Sequence, residues 1–284
     1  MRATEAGWLD YVDRFIGDAR VEQHSEETPV WLFSADHRPP RTIAGGKVVH
    51  GISVLWLQSL RIYRDRGEEN MAGRLFSKMR DLVTEPQNEY VRLRATGISR
   101  NGSALVMPSS PNSHLPALAG RIMQKSGGRF LGDEVVKLDP ILRRVSPVDW
   151  PLLIDERDAH LFPEGEFAPV HKRRKEPQYI GGATPRRPLA LRSIGVDVSE
   201  AAETGWLVFP EFLPGEESRL EPWGGAAALF KFTEATLNMH IWSDRTLMLA
   251  QEMLAAHPVS RLVVGSIEEA SDLVSAELDN TLGT

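Results

Sequence analysis

Residues 103–140 read SALVMPSSPNSHLPALAGRIMQKSGGRFLGDEVVKLDP. A short apolar run, Ala104 to Met107, leads into a loop; a helical segment, a second apolar run and an acidic pair, Asp133 and Glu134, follow. Leu115, Leu118, Ile122 and Met123 mark the buried stripe of the helix, and Gly127-Gly128 closes it. This is the layout of a phosphate-binding strand–loop–helix unit followed by a strand tipped with carboxylates. The layout is intact, yet most residues that would handle a phosphate are absent.

Just upstream, Tyr90 to Ser99 alternates as a strand, and Asn101-Gly102 predicts a two-residue hairpin into Ser103–Met107. Pro86 marks a boundary between an N-terminal portion, residues 1–88, and a core, residues 89–284. In the N-terminal portion, Trp8, Leu9, Val12, Phe15 and Ile16 predict an amphipathic helix over 7–20. Val30–Phe33 and Lys47–Ile52 are candidate strands, the second after a Gly45-Gly46 turn, and residues 37–41 (HRPPR) form a loop. From Ser53 to Val83 the apolar spacing predicts two helices separated by Gly67, with Arg61, Arg64, Arg66, Arg74, Lys78 and Arg80 on a solvated face; a docking surface for an acidic partner is the alternative.

Beyond Pro140 the chain is irregular and Pro-rich, with a cationic run, His171 to Lys175, in an exposed loop; a site for a phosphate or an acidic peptide is the alternative. Pro188–Ile194, Gly205–Phe209 and Arg261–Val264 predict strands; Pro222–Leu237 and Leu247–Ala256 predict helices. Ser266 caps a final helix, with Glu269 at the capping-box position. The alternation points to an α/β core with some α+β character.

Composition narrows the function. The chain has 284 residues, 42% of them hydrophobic, which supplies a sizeable core. A net charge of -6 argues against a nucleic-acid surface. The absence of Cys removes disulfides, thiol nucleophiles and cysteine-ligated zinc. No apolar run is long enough to span a bilayer, and the first residues lack a signal-peptide core, so a cytoplasmic protein is expected.

Residues from about Val91 to Val274 resemble the HPr kinase/phosphorylase-like family of P-loop proteins, which includes kinases of peptide precursors such as lasso peptides. The stretches that carry the resemblance are RNGSALVMP at 100–108 and GRFLGDEVVKLDP at 128–140. LVFPEF at 207–212, RLEP at 219–222 and RLVVGSIEEA at 261–270 continue it in order. The resemblance implies a P-loop kinase-like core similar to the HPr kinase catalytic domain, beside a smaller N-terminal α/β portion. In the family the loop reads like Gly-x-Ser-Gly-x-Gly-Lys-Ser/Thr; its amides and Lys hold phosphates and its hydroxyl ligates magnesium. Here Leu115 stands in the place of that Lys and Pro116 in that of the hydroxyl, while Ser109, Asn112 and His114 replace glycines.

The same resemblance gives Asp133 a role in magnesium binding and acid/base chemistry, with Glu134 its neighbour as a second metal ligand. Alternation along a strand would turn only one of the two toward a site, and Asp133 is the choice; a solvated strand end is the alternative. Arg94 stands where relatives carry His, and could pair with Asp133 or bind an anion. His114 is the nearby side chain suited to proton transfer. A nucleotide would meet Ser109, Ser110, Asn112 and Ser113, with Lys172, Arg186 and Arg187 replacing lost donors.

Two functions stay open. One is a pseudokinase that holds a peptide or protein partner, with no nucleic-acid or membrane partner. The other is an active ATP- and magnesium-dependent kinase of a serine or other group on a peptide or protein, with unorthodox phosphate contacts. Ligand sensing or another transfer in the same cleft is a third course that nothing specific supports. The resemblance leaves room for a homo-oligomer.

Overall fold

Helices cover both faces of a nine-stranded mixed sheet, and a separate four-stranded sheet carries the N-terminal strands. The computed structural model describes residues 2–3, 12–13, 15, 32–38, 41–49, 51–65, 69–109, 114–167 and 186–282. The smaller sheet takes β1 (Arg2–Ala3) and β2 (Phe33–Arg38). After a two-stranded hairpin, β3 (Arg41–Thr42) and β4 (Val48–Val49), it is completed by β5 (Ile52–Leu57) and β6 (Leu60–Asp65) in the order β1-β2-β5-β6. The β3–β4 hairpin turns at Gly45-Gly46, whose φ values of 87° and 74° favour glycine.

Residues 52–65 correct an expectation. They form a β-hairpin rather than a helix, turning at Gln58, with φ 53°. Leu55 and Leu57 are two apart, so they share a strand face and enter one core cluster. The helical pattern holds only for α1 (Glu69–Thr84). Its Met71, Leu75 and Phe76 are fully buried, and Phe76 meets Trp150 edge-on at 6.1 Å. This cluster also takes Leu153 and Ala190, so α1 and the small sheet pack on the larger part of the molecule. Of the helix expected over 7–20, Val12, Asp13 and Phe15 are helical and the rest lies outside the described residues, as do Val30 and the Pro39-Pro40 pair.

In the large sheet, β7 (Val91–Leu93) and β8 (Ala95–Arg100) are one strand interrupted at Arg94. β8 and β9 (Ser103–Pro108) form the Asn-Gly hairpin, with φ 53° at Asn101 and 82° at Gly102. The helix α2 (Leu115–Ser126) follows and stops at Gly127, which is left-handed at φ 66°. Then come β10 (Arg129–Gly132), β11 (Val136–Leu138) and β12 (Arg144–Ser146). β13 (Leu152–Asp155) and β14 (Arg186–Leu189) pair antiparallel as a separate two-stranded sheet. The expected strand at 188–194 therefore ends at Leu189; Leu191–Ile194 is a 3-10 turn that Gly195 closes.

The long β15 (Ala202–Phe212) lies parallel to β9, while β16 (Arg219–Pro222) will pair with the last strand. The helices α3 (Gly225–Ala235), α4 (Met239–Trp242) and α5 (Asp244–Ala256) lead to β17 (Val259–Val264), parallel to β15, and to α6 (Ile267–Leu282). The main path runs β10-β8-β9-β15-β12-β11-β7. Leu105 and Met107 face α2 and α6, whereas Ala104 and Val106 face α3 and α5, as the pleat requires. Ser266 accepts the Glu269 N–H at 3.3 Å as the cap of α6. Among the described residues no helix is long and apolar enough to cross a membrane.

Candidate functional site

One antiparallel ladder is broken in its middle. β8 pairs with β10 as far as Gly97–Gly132, and β7 pairs with β11 from Leu93–Val136. Between these registers, Arg94 to Thr96 and Asp133 to Val135 leave the ladder. Glu134 is left-handed, with φ 60°, a conformation uncommon outside glycine. Such interruptions re-aim side chains, and this one gathers charged groups at the start of α2. The backbone of Arg94 is fixed from two sides: its N–H donates to the Ala235 carbonyl at 2.7 Å, and its carbonyl accepts the Ser109 N–H at 3.1 Å.

Asp133 is 4% exposed and accepts the Thr96 hydroxyl at 2.6 Å. Burial pushes its carboxyl above the ordinary aspartate range; the Thr96 hydrogen bond and the charges of Arg80 and Arg186 act against that shift. Glu134 receives one guanidinium on each oxygen: Arg80 of α1 on Oε2 and Arg186 of β14 on Oε1. Arg80 also donates to Asp81 at 3.1 Å. Arg92 donates its N–H to Asn238 at 2.9 Å and its guanidinium to the carbonyl of Thr84, at the C-terminus of α1, at 3.2 Å.

Together these groups line a cleft of about 460 Å³. Arg80, Arg92, Arg94 and Arg186 supply its cations. Asp81, Glu85, Asp133 and Glu134 supply its acids. Leu115, Pro116, Val135 and Leu237 make apolar wall.

The cleft contains Asp133, Glu134, Arg94, Ser109 and Arg186 of the residues the sequence singled out. Both acids of the pair line it, against the expectation of one, because the left-handed Glu134 breaks strand alternation. Arg94 makes no ion pair with Asp133. His114 is not a wall residue; its Nδ1 lies 2.7 Å from Asp158 and its ring centroid 5.7 Å from that of Phe212. Arg187 also points elsewhere, since it alternates with Arg186 on β14: it lies 3.5 Å from Glu156 and stacks over Phe167. Ser110, Asn112, Ser113 and Lys172 lie outside the described residues.

Arg80 corrects a second expectation. It is 9% exposed, not on a solvated face. Phe76, Arg80 and Thr84 are spaced by four and all buried, so Arg80 continues the inner face of α1. Arg92 was equally missed, although it sits two residues before Arg94 on the same strand run. Among the described residues no group of three or more His, Asp or Glu side chains is placed to share a metal ion. Comparison with protein-family models finds none that matches the chain, and comparison with curated proteins finds no match.

Proposed function

We propose that this chain is an HPr-kinase-like protein with an eroded phosphate-binding loop, a pseudokinase that serves as a peptide- or protein-binding module. The order of β9, loop and α2, with Asp133 just past the end of β10, supports the kinship. The observation that carries the functional reading is the start of α2. Leu115 and Pro116 line the cleft, in the places where the family has its Lys and its magnesium-ligating hydroxyl. Leucine donates nothing to a phosphate, and Pro116 has no N–H to offer. Glu134 is already engaged by two guanidiniums. These residues do not fit a magnesium–triphosphate complex. A cleft that keeps polar walls without a phosphate grip is suited to holding a peptide or protein segment. Calorimetry and thermal shift with Mg-ATP test the reading: no heat and no rise in melting temperature are expected. A ligand at a hundredfold excess over its Kd would add about 2.7 kcal/mol. A micromolar Kd for Mg-ATP would overturn it.

Asp133 favours a second reading, an active kinase of a peptide or protein serine. A carboxyl with a raised pKa facing a cleft is a common form of general base. That reading requires phosphate transfer to a serine-containing peptide that Asp133→Ala abolishes. It fails if the unaltered chain transfers none.

A further inference from the structure

We infer that the cleft takes one carboxylate carried on an apolar stem, either an acidic side chain or the C-terminus of a peptide, with Arg94 as its counter-ion. This rests on the binding-module reading. Of the four guanidiniums that the described residues bring to the cleft, Arg80 and Arg186 are committed to Glu134, and Arg92 to the Thr84 carbonyl. Arg94 is half-buried and, among the described residues, makes no side-chain hydrogen bond or ion pair. A half-buried cation without a partner is costly, and a ligand of opposite charge offsets that cost.

Arg80 and Arg92 are more than nine-tenths buried in the cleft wall, which leaves the half-buried Arg94 the more accessible cation beside them. The charge count selects the ligand. Among the described residues, one unengaged cation matches one negative charge. A phosphate dianion would bring a second charge beside Asp81, Glu85 and Glu134. The planar fork of a guanidinium fits the two oxygens of a carboxylate. Ala95, Leu115, Pro116, Val135 and Leu237 offer apolar surface to the stem, and the volume exceeds what a bare acetate needs.

The test is calorimetry on the full chain with capped peptides: acetyl-Ala-Glu-Ala-amide, acetyl-Ala-Ala-Ala with a free C-terminus, and acetyl-Ala-Gln-Ala-amide. At least one carboxylate peptide is expected to bind saturably, and which one does identifies the source of the carboxylate. The Gln peptide should bind about tenfold more weakly or not at all, as loss of a charge-assisted pair predicts. Arg94→Gln should lose the binding, while Arg94→Lys keeps part of it and guards against a folding artefact. Inorganic phosphate should not displace the peptide. Silence of both carboxylate peptides, unchanged binding in Arg94→Gln, or displacement by equimolar phosphate would each overturn the inference. Mg-ATP titrated alone reports separately on the pseudokinase reading: ATP binding sinks that reading, whereas silence of ATP and of all peptides sinks only the carboxylate.

Discussion

Thr96 donates its hydroxyl to Asp133 across 2.6 Å at the break in the ladder, and both side chains are buried. Burial raises the Asp133 pKa in the folded state. For an acid with a raised folded pKa, the contribution to stability is fully present below its unfolded pKa and is lost as pH rises through the folded value. Asp133→Asn should therefore raise the melting temperature in neutral and alkaline buffer and change it little in acid. Melts of both proteins across that range check this; an equal shift at every pH would exclude titration of Asp133 as the cause.

The Arg80–Glu134 pair ties α1 to the strand break. The Arg80 side chain is 10% exposed and that of Glu134 25%. Removing one partner of a fully buried pair costs about 3–5 kcal/mol. Glu134 keeps Arg186 and some solvent, so Arg80→Met should cost about 2 kcal/mol, less than that full penalty. Arg186→Met should cost less than Arg80→Met, because the Arg186 side chain is 31% exposed. In urea melts, Arg80→Met and Glu134→Gln combined should fall short of the sum of the singles. Simple additivity would mean that the contact contributes nothing.

His114 gives a contrasting prediction. Its partner is Asp158, and it does not line the cleft. His114→Ala should lower stability by about 1–2 kcal/mol through the lost hydrogen bond. Ligand affinity in the cleft should stay the same. A fall in affinity without a fall in stability would return His114 to the site.

What was legible in the sequence was local. Asn101-Gly102 can make its turn with no help from the rest of the chain, because both residues accept positive φ. Gly127 ends α2 for the same reason. Asp133 and Arg94 were singled out because the resemblance to the HPr kinase-like family gives their positions a role, and both line the cleft. Leu55 and Leu57 misled because a spacing of two, followed by further leucines, fits a short strand as well as the edge of a helix. Arg80 was hidden for a different reason: the carboxylate that keeps it buried is 54 residues away. No window of local pattern contains both.

Gly120 sets two opposing effects against each other in the middle of α2. Replacing a mid-helix glycine with alanine ordinarily gains about 0.5–1 kcal/mol. Here an added Cβ would sit 2.8 Å from Cζ and 2.9 Å from Cε1 of Phe162, and 3.3 Å from Leu152 Cδ1. Phe162 is 2% exposed and belongs to the same core cluster as Leu118, Ile122 and Leu189, so its rigid ring has nowhere to retreat. Overpacking of this kind costs about 1–3 kcal/mol, which outweighs the gain in helix propensity. Gly120→Ala should therefore lower stability by about 1 kcal/mol, the difference between those two ranges. Pairing it with Phe162→Leu should restore part of the loss, because the smaller side chain vacates the contact. A Gly120→Ala variant more stable than the parent in urea melts would show that α2 and the 3-10 turn at 156–161 are packed less closely than the 2.8 Å approach implies.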